Sequence, residues 1–215
     1  MLKSFLSLFL QQNCPLCDRS TEEEICQDCL RQLKSQQIKN TAQFWYGELP
    51  LFVWGNYEGK LKQAIAALKY NRHPELGEVM GQWLGEAWLK SSLEKKQKFS
   101  VIPIPMHQQK LKERGFNQAE LMAKGFCKTT GYNLQSHGLI RIRETQAMYS
   151  LKPKEREENV KNAFNIGKLN QTNTPVLLID DIYTTGTTAK EVAKCLNSHH
   201  VNVVGIATLS TVRQV

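Results

Sequence analysis

No stretch near the start of this sequence is long and apolar enough to cross a bilayer. The run from Phe5 to Leu10 falls well short of the roughly 20 residues that a spanning helix needs. It also lacks the longer apolar stretch and the small cleavage-site residues of a secretory signal. Leu2, Phe5, Leu6 and Phe9 share one helical face, so a short amphipathic helix packed on the body is expected instead. No later segment could span a membrane, and a cytoplasmic protein without membrane insertion is the expectation. There is no internal repeat, which excludes a solenoid. GxGxxG is absent, and with it the fingerprint of dinucleotide-binding folds. A P-loop is excluded too, because Ala189 and Lys190 follow a threonine-rich turn without the GxxxxGK[ST] spacing. No tract has the composition of a disordered segment.

What is present fits one ordinary domain with a small appendage. The chain has 215 residues, 41% of them hydrophobic and 22% charged, enough to bury a core. Its net charge of +8 favours anionic partners such as phosphates, nucleic acid or membrane headgroups. Cys14, Cys17, Cys26 and Cys29 form C-x2-C-x8-C-x2-C. Two such knuckles suit a tetrahedral Zn²⁺ held by four thiolates, a structural site because every position is filled. Two disulfides or unligated thiols are the competing readings, and a reducing compartment disfavours the disulfides. Cys127 and Cys195 stand alone on expected helices and read as core residues. The division expected is a helix and four-cysteine segment over 1–45, followed by the main domain over 46–215.

From Leu51 onward strands and helices alternate. LFVWGNY reads as a strand, and Leu61, Ile65 and Leu68 are spaced as one face of a helix. A second helix follows NRHPELG, with Val79, Trp83, Ala87 and Trp88 expected inward. SVIPIP is a short strand closed by prolines. Asn117 is placed to cap a helix running to about Lys128, with Glu120 at its third position and Gly131 as its stop. The stretch 141–162 is long, charged and without sustained periodicity, which predicts a loop. AFNI, VLLI and VNVVGIATLSTV read as strands, and TTAKEVAKCLNS as a helix. The alternation predicts an α/β class with a largely parallel sheet.

The richest string is VLLIDDIYTTGTTAKEVAKCL, Val176–Leu196. Four apolar residues without alternation suit a strand buried on both faces of a parallel sheet. Ligands in such sheets bind beyond the carboxyl ends of the strands. Asp180 and Asp181 stand there, and two carboxylates are costly in a core, so both are expected to reach solvent or a ligand. Thr184, Thr185, Gly186, Thr187 and Thr188 then form a turn into a helix start, an anion cradle of backbone N–H groups and hydroxyls. The cradle suits a phosphate, and the carboxylates suit hydroxyls or a metal. A ribose 5-phosphate carries both. A receiver domain also ends a strand in paired aspartates, but too little chain follows here to complete one.

This string closely resembles the phosphoribosyl-diphosphate (PRPP) signature of type I phosphoribosyltransferases. Together with IPIPMHQQKLKERGFNQAELMA, RIRETQAMYSLKPKEREENVKNAF and the four cysteines, it resembles the ComF family across nearly the whole chain. The resemblance implies a parallel-sheet phosphoribosyltransferase fold with a small N-terminal zinc segment. It implies PRPP as ligand, Mg²⁺ accompanying it, and an association with DNA uptake in natural transformation. Asp180 and Asp181 would serve the ribose hydroxyls as the catalytic pair. The five turn residues would hold the 5-phosphate. Arg114, and Lys110 after it, would face the diphosphate. Lys110 stands where the family often has arginine, and it lacks arginine's bidentate fork. His107 is a weaker phosphate donor. Arg141, Arg143, Lys152, Lys154 and Arg156 would sit on a closing lid or on a mobile surface loop. Phe44, Trp45, Tyr46, Trp54 and Tyr57 form either an interdomain core or a base-stacking surface. No acceptor pocket is legible. A phosphoribosyl transferase, a PRPP sensor that binds single-stranded DNA, and an adaptor among other competence proteins all stay open.

Overall fold

The structure is a computed structural model, and it describes residues 12–91, 93, 99–144, 153–169 and 174–212. The helix expected over Leu2 to Phe9 lies outside the described residues, as does Lys152. The side chains of Lys154 and Arg156 lie outside them too. No helix among the described residues is long and apolar enough to cross a membrane.

Five strands form one parallel sheet. In chain order they are β3 (Leu51–Asn56), β4 (Ser100–Pro103), β5 (Asn133–Leu134), β8 (Val176–Tyr183) and β9 (Val203–Thr211), arranged β3-β9-β8-β4-β5. The α/β class with a central parallel sheet is therefore as the alternation predicts. Successive strand residues face opposite sides, and the sheet separates two apolar cores accordingly. Leu177 and Ile179 join Phe52, Val101 and Leu209 on one face. Val176 and Leu178 join Leu51, Ile102 and Ile206 on the other.

The first face is covered by α2 (Gly59–Tyr70), α3 (Glu75–Lys90) and α5 (Gln118–Thr130). The second is covered by α7 (Thr187–Ser198). The buried stripe of α3 is Leu76, Met80, Leu84, Ala87 and Trp88, whereas Val79 and Trp83 are only half-buried. Ala87 and Trp88 are thus inward as read from the sequence, while Val79 and Trp83 sit at the margin of that face, packed against the core. Three glycines one turn apart explain that placement. A Cβ on Gly81 would stand 2.0 Å from the Met122 carbonyl oxygen, and one on Gly125 would stand 2.0 Å from that of Glu78. The two helices cross backbone against backbone, and the glycine row, not the large side chains, marks the contact.

Before the sheet, β1 (Gln12–Asn13) pairs with β2 (Ser20–Thr21), and α1 spans Gln27–Lys34. This segment does not stand apart from the body. Cys14, Ile25, Cys29 and Leu33 belong to the same core as Phe52, Trp54 and Leu61. Val53 N–H donates to the Thr41 carbonyl, and Ile38 N–H donates to that of Trp54, each at 3.0 Å. Of the aromatic group, Trp54 is buried and stacks on Trp83, Trp45 meets Trp88 edge-on, and Tyr46 is exposed.

The charged stretch departs from the loop expected. Arg141 ends β6 (Leu139–Arg141), which pairs antiparallel with β7 (Phe164–Ile166), and Pro153–Val160 is a helix, α6. Proline is favoured at a first helical position, and Glu, Lys and Arg are good helix formers. A helix so polar carries no apolar period for a sequence reading to find.

Candidate functional site

The site begins where β8 leaves the core. The strand runs on through Asp180 and Asp181 to Tyr183, two turns of the pleat further than VLLI alone suggests. Gly186 then adopts φ +77° as the residue before α7. A Cβ there would also meet the Tyr183 hydroxyl at 2.0 Å, so both conformation and space require glycine. The Thr185 and Thr187 hydroxyls lie 2.8 Å apart. From β4 the chain passes Pro105 and Met106 to a short helix, α4 (Gln108–Arg114). His107 precedes it and accepts the Gln109 N–H at 3.4 Å through Nδ1, a helix-capping contact. Asn117 caps α5: its Oδ1 accepts the Ala119 N–H at 3.1 Å, and its Nδ2 donates to the Ile104 carbonyl at 3.1 Å. That pair of bonds fixes the start of α5 to the end of β4.

These elements enclose a cleft of about 380 Å³. Asp180, Asp181 and the whole turn Thr184–Thr188 line it, together with Lys110 and Arg114. The acidic pair, the turn and the two cations assigned to a sugar phosphate from the sequence therefore border one space. Arg141 lines it as well. Arg143 instead donates to the Lys161 carbonyl at 2.5 Å.

Two residues in the cleft were not anticipated. Lys69, near the end of α2, forms an ion pair with Asp181 Oδ2, with side chains 18% and 5% exposed. Gln118 donates through Nε2 to Asp181 Oδ1 at 3.5 Å and accepts from Arg114 Nη1 at 2.6 Å. The Arg114 guanidinium lies 5.7 Å from the ring centre of Tyr70. The expectation of solvent exposure is thus corrected for Asp181, which is buried and paired within the protein while still lining the cleft. The available signal was Lys69 itself. It follows Leu61 and Ile65 at four-residue intervals, on the apolar stripe of its helix.

The electrostatics divide the acidic pair. Burial pushes Asp180 well above the usual carboxylate range, and the neighbouring Asp181 charge adds to this. Burial also acts against Asp181 ionising, but Lys69, together with hydrogen bonds from Asp180 and Gln118, holds that carboxyl below its ordinary value. Lys69 keeps its proton against burial because of Asp181. Burial lowers Arg141, opposed by the Asp180 charge.

The four cysteines converge at a second site. All their Sγ atoms lie within 4.8 Å of one another, and none is disulfide-bonded. Thiolates about 2.3 Å from one zinc stand roughly 3.8 Å apart, and Cys17 and Cys26 Sγ are 3.5 Å apart. The set fits a tetrahedral metal. Arg19 Nε donates to Cys17 Sγ at 3.4 Å, which brings the Cys17 thiol down to about 6. Such a donor would also orient and stabilise a metal-bound thiolate. Cys127, half-buried on α5, is pushed up to about 12 by burial.

No protein-family model matches the chain. It is similar to DNA utilization protein YhgH of Salmonella typhimurium, 27% identical over 66% of this chain and 63% of that protein. Competence protein F of Haemophilus influenzae is 30% identical over 50% of this chain and 49% of its own length. Competence protein ComFC of Bacillus subtilis is 26% identical over 85% of this chain and 70% of that protein. The chain spans less than two thirds of the length of the first two. A solved hypoxanthine phosphoribosyltransferase from Staphylococcus aureus overlaps 64% of this chain and 69% of its own at 21% identity, with a TM-score of 0.39.

Proposed function

We propose that the cleft binds PRPP and that the chain is a phosphoribosyltransferase-like protein. One observation carries this reading. An acidic pair at the end of a central parallel strand, a glycine-centred threonine turn before a helix, and two cations on the short helix that follows the neighbouring strand share one cleft. The turn offers N–H groups and a helix start to the 5-phosphate. Asp180 and Asp181 accept hydrogen bonds from the ribose hydroxyls. Arg114 and Lys110 face the diphosphate, where charge-assisted bonds are strongest.

Transfer would break the bond between ribose C1 and the diphosphate oxygen, with the electron pair leaving on the diphosphate. An acceptor's lone pair would then form the new bond at C1. The chain assists by positioning and by charge, without a covalent nucleophile. Mg²⁺ bound with the ligand would neutralise diphosphate charge, and it keeps several waters and takes few protein ligands. Asp180 would have to release the proton that its burial favours before it could hold such an ion. In the N-terminal segment, Cys14, Cys17, Cys26 and Cys29 hold a structural Zn²⁺ that fixes the knuckles.

A second reading is favoured by the net charge of +8 and by relatives named for DNA utilization and competence. In it the same pocket senses PRPP while the basic surface holds single-stranded DNA, without turnover. Calorimetry with PRPP and Mg²⁺ tests what both share. Binding is expected, and the double change Asp180→Ala/Asp181→Ala is expected to weaken it by an order of magnitude or more. A wild-type protein that binds no PRPP refutes both readings. Diphosphate release across candidate acceptors separates them. DNA affinity should fall steeply with salt if strands are held through their phosphates.

A further inference from the structure

Lys69 belongs to no motif, yet it lines the cleft. It projects from the buried stripe of α2 and pairs with Asp181 Oδ2, while Gln118 approaches Oδ1 of the same carboxylate. Both oxygens of Asp181 therefore have a partner in the protein itself, an ion pair at Oδ2 and an amide at Oδ1. Asp180 and Asp181 are successive strand residues, so they lean to opposite faces of the sheet. Lys69 and Gln118 come from helices packed on the face of Leu177 and Ile179. That is the face to which Asp181 belongs by alternation. A divalent ion seated on Asp181 would have an ammonium beside it and a carboxylate already engaged. The pair does not fit a metal as two open ligands.

We propose that Lys69 is a positioning residue that serves Asp181 as its resident cation. Asp181 then acts as a fixed acceptor for a ribose hydroxyl and not as a ligand to a divalent metal. The arrangement also ties the two ends of the cleft together. Gln118 links Asp181 to Arg114, and Arg114 lies over Tyr70, the residue after Lys69. A ligand held at its diol thereby meets an Arg114 already fixed in place. The inference rests on the sugar-phosphate reading of this cleft and specifies how the sugar end is held: without metal.

The test uses ribose 5-phosphate, which lacks the diphosphate that would bring its own metal. Its affinity is measured by calorimetry in Mg²⁺-free buffer, without chelator so that the cysteine site keeps its metal, and in Mg²⁺, for the wild type, Lys69→Met, Lys69→Arg and Lys69→Met/Asp181→Asn. The wild type is expected to bind equally in both media. Lys69→Met is expected to lose roughly tenfold or more without Mg²⁺, because Asp181 is left buried without its cation. It should recover in Mg²⁺, which takes the vacated place. Lys69→Arg should retain binding without metal. The double variant removes both charges, so it guards against misfolding from an unpaired carboxylate, and it should show no recovery in Mg²⁺. A wild type that needs Mg²⁺ for ribose 5-phosphate overturns the proposal. So does Lys69→Met binding as the wild type does, or a double variant that recovers in Mg²⁺. A wild type that binds neither ribose 5-phosphate nor PRPP removes the sugar-phosphate reading itself.

Discussion

Replacing Gly81 by alanine should destabilise the protein and loosen its cleft together. The new Cβ would stand 2.0 Å from the Met122 carbonyl oxygen, whereas ordinary contact begins at 3.4 Å. The obstacle is helix backbone, which cannot rotate aside as a side chain can. Overpacking a core costs about 1–3 kcal/mol, and a backbone obstacle places this site at the upper end. Alanine returns roughly 1 kcal/mol of helix propensity, leaving a net loss of about 2 kcal/mol. For a chain of this size that lowers the midpoint by roughly 4–8 °C. Gly125→Ala should behave alike, since its Cβ meets the Glu78 carbonyl oxygen at the same distance. Gly77→Ala and Gly85→Ala should cost less, because the nearest atoms, the Cβ of Leu121 and of Thr129, stand further off at 2.6 and 2.9 Å. Urea denaturation at constant slope measures the order. Separation of α3 from α5 also displaces Gln118, the first residue of α5, from Asp181. Ligand affinity in Gly81→Ala should therefore fall as well. A Gly81→Ala protein as stable as the wild type would refute the close-crossing argument outright.

Chelation of the cysteine site, or Cys29→Ser, is expected to lower the melting temperature of the whole chain in one transition, because Cys14 and Cys29 share a core with Phe52 and Trp54. Calorimetry with parallel metal analysis checks this, and an unchanged main transition counts against it. Asp180→Asn is expected to stabilise the protein at neutral pH. The folded carboxyl titrates well above an unfolded aspartate at about 3.9, so the folded state holds the extra proton and wild-type stability falls as pH rises through that window. The gain should be absent at pH 4 and present at pH 8 in thermal melts; equal gains at both would oppose the assignment. Asn117→Ala should cost about 1 kcal/mol as a lost cap, with more from the stranded Ile104 carbonyl, and urea titration reads it directly.

Four of the sheet's five strands were legible because they are largely buried, whereas the short, partly exposed edge strand Asn133–Leu134 carried no such signal. Val176–Ile179 carries no polar alternation, and such a run has few other places to go. The threonine turn was legible because its geometry is local: a glycine at positive φ between a strand and a helix is written in adjacent residues. The face of α3 was legible only in part. Trp83 and Val79 outweigh glycine on any hydrophobic scale, yet contact at this crossing is set by the absence of side chains at Gly77, Gly81 and Gly85. Helix α6 was missed for the opposite reason, since PKEREENV has nothing apolar to repeat.

Lys69 and Gln118 lie 112 and 63 residues from Asp181, and no spacing rule connects them. Their existence, though not their identity, was implied by chemistry. A strand that buries its neighbours on both sides buries its aspartate too, and a buried carboxylate without a partner is among the costliest groups a fold can hold. A complementary cation or donor must therefore come from whatever packs on that face. Helix α2 packs there, and it carries a lysine on its apolar stripe, one place where a lysine is itself costly. Each residue is out of place alone, and each resolves the other. An acid in an apolar strand and a base on an apolar helix face are thus grounds for pairing the two from the amino-acid order alone. The pairing also locates the cleft, because two opposite charges drawn this far inward leave the polar opening that a ligand can enter.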